Sequence, residues 1–271
     1  MLGETFFPVA AANVSHNFYS AIVFGAYLYG MNATLDWGNT RVKIGLFEGQ
    51  RLRRVDYIEN NRPDVVKILS DYLQNVSPTS ILWMASGEVS EAGRLLFEDL
   101  KATPFTHQTT LAHSSVYATP HTLGLDRILN MEAAYFEFPQ KNVLVIDMGT
   151  CITYDILNSE GVHEGGSIAP GWKMRLSAMH EFTASLPHVE ALPTDLIGVD
   201  TLTSLQSGAY NGMKNELTET IRQYEARYSN LHVILTGGDA EAFDLQAKKA
   251  TFARQNYTLH GLNAILLQHA Q

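Results

Sequence analysis

The chain has 271 residues, 45% of them apolar and 10% aromatic, enough for one large domain or two of ordinary size, and no stretch has a disordered composition. A formal charge of −9 and a pI near 5.5 exclude a broad nucleic-acid footprint, which needs basic surface. A single cysteine, Cys151, excludes internal disulfides and any cysteine-based zinc site, and the ten histidines show no metal-ligand spacing.

Phe18 to Gly30 is apolar, yet no Lys or Arg precedes Arg41, so the start fits neither a secretory signal nor a membrane span of about twenty apolar residues. Met31 stands directly before the first strand pattern. Residues 1–30 are therefore expected to be an extension ahead of the natural start, and the protein is expected in the cytoplasm.

Ala33-Thr34-Leu35, Asp36-Trp37-Gly38-Asn39-Thr40 and Arg41 to Phe47 then read as a β-hairpin, with alternating residues on both sides of a glycine turn. Gly38 lets the backbone turn tightly and approach an anion. Amides of Asn39 and Thr40, with the Thr hydroxyl, can donate to phosphate oxygens. A carboxylate beside phosphates repels them unless a cation intervenes, so Asp36 implies a bound metal, directly or through water. Taken alone, Asp-x-Gly is equally a turn that Asp closes on its own backbone.

Helical spacing follows over Arg62 to Val76, with Pro63 and Asp64 in the first turn. Next come a buried strand at Ile81 to Ala85 and a helix around Glu91 to Lys101. Pro104 to Thr122 reads as a loop with one or two short strands. Leu125 to Phe138 reads as a helix ended by Pro139. Gly124 precedes Asp126 and Arg127 at its start, where the helix dipole favours an ionised carboxylate. The two side chains diverge by roughly a hundred degrees. Asp126 is thereby suited to accept a hydroxyl proton while Arg127 forks onto a carboxylate.

Val143 to Leu157 repeats the first device: Val143-Leu144-Val145-Ile146, Asp147-Met148-Gly149-Thr150-Cys151, then an alternating strand. Both hairpins end in an acidic-Gly pair, Glu48-Gly49 and Glu160-Gly161. Thr150 and Asp147 thus take the roles of Thr40 and Asp36. Thr201 to Tyr228 is a long helical pattern with a break expected near Gly208 and Gly212. Val233 to Leu235 reads as a buried strand ending in Thr236-Gly237-Gly238-Asp239, where paired glycines let a flat ring or sugar lie on the backbone. Asp239 to Lys249 and Leu262 to His269 read as helices, the first capped by Asp239. There is no P-loop and no Rossmann fingerprint. The expected fold is α/β, two similar halves closing on one nucleotide. Residues 31–140 form the first lobe and 141–271 the second.

Several stretches together carry a family resemblance: Asp36 to Lys43, Tyr117 through Gly124-Leu125-Asp126-Arg127, Asp147 to Thr153, Gly165 to Gly171, Thr183-Ala-Ser-Leu-Pro187 and Thr236 to Asp239. In this combination and order the chain resembles the type III pantothenate kinases, bacterial enzymes of the superfamily of acetate and sugar kinases, Hsp70 and actin. The match runs from Met31 to the C-terminus and implies an α/β fold of two similar ribonuclease-H-like lobes, with the active site in the cleft between them. What the resemblance implies is ATP-dependent phosphorylation of pantothenate on its terminal hydroxyl, the first step towards coenzyme A. By position, Asp36, Gly38, Asn39, Thr40, Arg41, Val42 and Lys43 would hold phosphate, with Thr150, Gly237 and Gly238 as further ATP contacts. Asp126 would be the base. Tyr117, Gly124, Leu125, Asp126, Arg127 and Thr183 would contact pantothenate. Asp147 would bind a monovalent cation, potassium or ammonium, and Asp36 a magnesium ion (Mg2+) through water. The resemblance also implies a homodimer with the monovalent cation near its interface, and no nucleic-acid or membrane partner. Trp37, Cys151 and Asp200 depart from the usual pattern, where an aliphatic, Ala and Asn are expected. From the nucleotide motifs alone, a sugar or acetate kinase fits as well.

Overall fold

The computed structural model describes residues 30–243 and 251–269. The expectation for residues 1–30 therefore lies outside the described residues, apart from Gly30. The first sheet contains β1 (Asn32–Trp37), β2 (Arg41–Glu48), β3 (Arg51–Glu59), β4 (Ser80–Ala85) and β5 (Thr103–Pro104), in the order β3-β2-β1-β4-β5. The second contains β6 (Ser114–Ser115), β7 (Val143–Met148), β8 (Cys151–Leu157), β9 (Val162–Pro170), β10 (His232–Thr236) and β11 (Thr251–Ala253), ordered β11-β10-β7-β8-β9-β6. Without β6, the two orders are the same. The central strand pairs antiparallel with its hairpin partner and parallel with the strand on its other side in both sheets.

The duplication extends to a defect. The ladder between β2 and β3 slips after Leu46, and the ladder between β8 and β9 slips after Ile156. Both positions are the sixth residue of their strand, where an extra residue bends the meander at equivalent places in the two sheets. Two similar lobes are therefore present, as the hairpin repeat implied, with the ribonuclease-H-like fold that the resemblance implied. β3 is an edge strand with three Arg and two acids among nine residues, and its polar pattern hid it in the sequence.

Both faces of each sheet are covered by helices. On α1 (Val65–Val76), Val65, Leu69, Tyr72, Leu73 and Val76 form the stripe that meets the first core. α2 (Glu91–Asp99) is capped by Ser90, whose hydroxyl accepts the Gly93 amide at 3.2 Å. α3 (Leu125–Glu137) is buried nearly all round, from Arg127 to Ala134. α4 (Trp172–Glu181) packs on α5 (Thr201–Arg227). α5 runs unbroken through Gly208 and Gly212, contrary to the expected break, because both lie on open surface while Leu205, Ala209, Met213, Leu217 and Ile221 keep one core stripe. Asp200 makes a capping box with Thr203, accepting its amide at 2.8 Å, which gives that departure from the family pattern a structural task.

The last helix, α6 (Tyr257–His269), starts five residues before the expected Leu262. The helix expected from Asp239 is a single 3-10 turn over Ala240–Ala242, and Asp239 makes no side-chain cap; residues 244–250 lie outside the description. α6 packs on α3 and on β1, β4 and β2, while α3 packs on β7 and β8. The division at residue 140 is thus crossed three times: β6 and α3 precede it and join the second sheet, and α6 follows it and packs on the first. No helix among the described residues is long and apolar enough to cross a membrane.

Candidate active site

The cleft is built from the C-terminal ends of the parallel strands, where open α/β sheets bind ligands. At the first hairpin, Gly38 donates its amide to Arg41 O at 3.1 Å, and Asn60 Nδ2 donates to Gly38 O at 2.8 Å. Asn39 and Thr40 are left exposed at the tip. Trp37, unusual at its position, is buried beneath the turn with its ring edge-on to Phe97, so its bulk supports the hairpin from the core side. Val42 is also wholly buried, which leaves only its backbone for the cleft.

Asp36 and Lys43 are register partners across that hairpin, and their side chains form an ion pair at 3.0 Å. Burial draws the Lys43 ammonium down, but the Asp36 pair and the nearby Asp147 and Tyr57 outweigh it and hold the group above its ordinary value. Lys43 therefore stays charged between two carboxylates.

The second hairpin turns one residue tighter, with the Gly149 amide donating to Cys151 O at 3.0 Å and Thr150 exposed. β10 lies parallel to β7, with Thr236 beside Asp147. Gly237 then turns at φ +92°, and a side chain there would meet the Met148 backbone at 2.5 Å, so only glycine fits. Arg41, Lys43, Tyr57, Asp147, Thr236, Gly237 and Gly238 thus line one cavity of 230 Å³ with the Gln255–Thr258 stretch.

α3 supplies the opposite wall. Gly124 occupies its N-cap position, and a Cβ there would stand 2.4 Å from Asp126 Oδ1. The glycine leaves room for the carboxylate to fold back and accept the Arg127 amide at 2.9 Å. Burial raises the Asp126 carboxyl above its ordinary value, with Asp36 and Asp155 adding to it against the Arg127 amide and charge. The helix start does not hold Asp126 low, as expected from the dipole; desolvation wins. Asn130, one turn on, donates Nδ2 to Asp147 Oδ2 at 3.0 Å. Asp147 is raised to about 6, by burial first and then by Asp126 and Asp36, against Asn130 and Lys43.

Asp36, Asp126 and Asp147 therefore sense one another across a single cleft. Asp36 Oδ1 and Asn130 Oδ1 are buried without a hydrogen-bond partner. Hard oxygens of this kind, with surplus negative charge, fit a hard cation. Among the described residues no three His, Cys, Asp or Glu side chains form a closed metal cage. The donor set thus suits an ion completed by water and phosphate oxygens.

Arg127 is buried, and its fork lies on Asp155, Nε to Oδ2 at 2.8 Å and Nη2 to Oδ1 at 2.6 Å. The fork expected to face a substrate is therefore engaged within the protein, leaving Nη1 as the edge not taken by Asp155. Tyr117 lies beneath the guanidinium, 5.4 Å from ring centre to Cζ. Leu125 is half-buried against the core shared by α3 and α6. Thr183 stands apart from this group: it is exposed just past α4, and its hydroxyl donates to Met179 O at 2.7 Å. Asn130 and Asp155 were missed in the sequence. The signals were Asn130 four residues after Asp126 on a helix, and an acid inside the apolar strand Ile152 to Leu157.

Comparison with known proteins gives the family. A protein from Christiangramia forsetii named type III pantothenate kinase is 39% identical over 247 residues, covering 87% of this chain and 98% of the relative. One of the same name from Flavobacterium johnsoniae is 38% identical, covering 86% and 96%. Among solved structures, component A of the Acidaminococcus fermentans (R)-2-hydroxyglutaryl-CoA dehydratase superposes with a TM-score of 0.47 at 11% identity, covering 88% of this chain and 97% of its own. The family model described as type III pantothenate kinase matches residues 33–223. The chain belongs to the type III pantothenate kinase family.

Proposed function

We propose that this protein transfers the γ-phosphoryl group of ATP to the terminal hydroxyl of pantothenate, forming phosphopantothenate and ADP at the start of coenzyme A synthesis. The observation that carries the reading is the shared cleft of Asp36, Asp126 and Asp147 with Lys43 between two of them. A duplicated glycine hairpin faces it from both lobes.

The hydroxyl oxygen bonds to the γ-phosphorus as the bond to the β,γ-bridging oxygen breaks, and the hydroxyl proton passes to Asp126. Transition states for this transfer are loose, so Asp126 acts as much by orienting the hydroxyl as by taking its proton. Its raised pKa makes it a better acceptor than an ordinary carboxylate. Lys43 and the amides of Gly38 to Thr40 hold phosphate oxygens, with Thr150, Gly237 and Gly238 on the other lobe. Arg127 and Tyr117 hold the acid end, and Gly124 and Leu125 shape the wall beside them. Asp36 would hold magnesium through water, and Asp147 with Asn130 would hold potassium or ammonium; bound there, the cations would offset charge on the phosphates.

Thr183 fits this reading through a second copy of the chain. Phe182 beside it is 85% exposed, and Leu196, Ile197 and Val199 in the same connection to α5 are 73%, 79% and 89% exposed; exposed apolar side chains of this kind suit an interface. The protein works as a homodimer in the cytoplasm, where ATP is available. The experiment is coupled ATP turnover with and without pantothenate, in sodium, potassium or ammonium buffer. Turnover that requires pantothenate and rises with potassium or ammonium supports the reading. Turnover indifferent to pantothenate defeats it.

A further inference from the structure

Behind Arg127 lies a buried polar chain that phosphoryl transfer itself does not use. Asp155, inside β8, is 1% exposed and accepts two bonds from Arg127, which is 4% exposed. His163, on β9 and wholly buried, approaches the same carboxylate with Nε2 at 2.8 Å. A carboxylate only accepts, so Nε2 carries the proton. Its Nδ1 lies 3.1 Å from Ser115 Oγ, and Ser115 Oγ accepts the Tyr117 amide at 3.2 Å. The Tyr117 ring stacks on His163, with an interplanar angle of 7°, and lies under the Arg127 guanidinium. One carboxylate therefore fixes the plane of Arg127 directly and the place of Tyr117 through two intermediates.

A buried ion pair is weak evidence for stability, since apolar side chains of like volume often serve as well. Three lobe elements converge here: α3 supplies Arg127, the second sheet Asp155 and His163, and the β6 segment Ser115 and Tyr117. We infer that Asp155 is a positioning residue for recognition of the substrate acid, holding Arg127 so that its Nη1 edge and the Tyr117 ring form one rigid receptor, with His163 and Ser115 completing the support. This rests on the proposed function, in which Arg127 and Tyr117 meet pantothenate.

The test is steady-state kinetics of Asp155→Asn with pantothenate and with its primary amide, the same molecule with the carboxylate capped. The KM for pantothenate rises by about tenfold or more, the order of one charge-assisted hydrogen bond, while kcat and the KM for ATP change much less. The preference for acid over amide collapses along with it. His163→Leu produces the same split, and His163→Gln, which keeps an N–H for Asp155, recovers at least half of the loss. Should Asp155→Asn not fold, the His163 pair decides. Equal effects on both KM values, or an unchanged acid preference, overturn the inference. A wild-type protein inactive on pantothenate, or an Arg127→Ala variant with unaltered KM for it, instead defeats the functional reading beneath.

Discussion

Gly124 and Asp126 show how much of the site depends on a single missing carbon. With any side chain at Gly124, the Asp126 carboxylate loses the place in which it accepts the Arg127 amide. Asp147 carries the largest consequence for pH. Its folded pKa of about 6 lies above the ordinary 3.8, so its stability contribution is fully present below the unfolded pKa and is lost as pH rises through the folded value. Without added magnesium or potassium, Asp147→Asn removes that loss. The variant then gains on wild type between about pH 4 and pH 7, by up to ~3 kcal/mol, since each tenfold difference in proton affinity is worth about 1.4 kcal/mol. Urea unfolding across that range checks it; parallel pH profiles for the two proteins contradict it. Asp36 and Asp126 were legible because each sits in a short pattern with a glycine. Asp155 was not: its partners are 28 residues away on α3 and eight away across a bulged ladder, and no spacing rule links them.

At the scale of elements, the hairpins were legible because alternation and a glycine turn are local signals. β9 was harder, since Gly165, Gly166, Ser167 and Pro170 weaken any strand pattern. Its glycines answer a contact that only the folded sheet reveals: a side chain at Gly166 would stand 1.6 Å from Tyr154 O. The helix pair α3 and α6 has a similar constraint. A Cβ on Gly261 would lie 2.1 Å from Leu129 O, so the two helices cross with backbones in close approach. Gly261→Ala must push α6 off α3, at a cost of about 1–3 kcal/mol as in other overpacked cores. Thermal or urea denaturation reads this directly. A neutral or stabilising result would mean that the crossing can open without loss.

For the molecule as a whole, the two-lobed α/β architecture followed from the repeated hairpin, but the chain crossings did not. α6 returns to the first sheet and α3 reaches the second, long-range choices made by complementary surfaces that periodicity does not encode. The exposed run from Phe182 to Val199 belongs to this scale too. A doubly charged face, Phe182→Asp with Ile197→Asp, should convert the proposed dimer to a monomer in analytical ultracentrifugation while leaving the far-ultraviolet circular dichroism unchanged. A variant that sediments as wild type does would remove this surface from the interface.

The central claim is that Asp126 handles the acceptor hydroxyl in a cleft that binds ATP independently of it. Phosphorus NMR of the reaction with ATP and pantothenate, beside calorimetry of ATP binding, tests that most directly. The account predicts a new phosphomonoester signal from the wild type, and formation slowed by about a hundredfold or more in Asp126→Asn with ATP affinity retained. No phosphomonoester from the wild type, or an Asp126→Asn variant that forms it at the same rate, would contradict it.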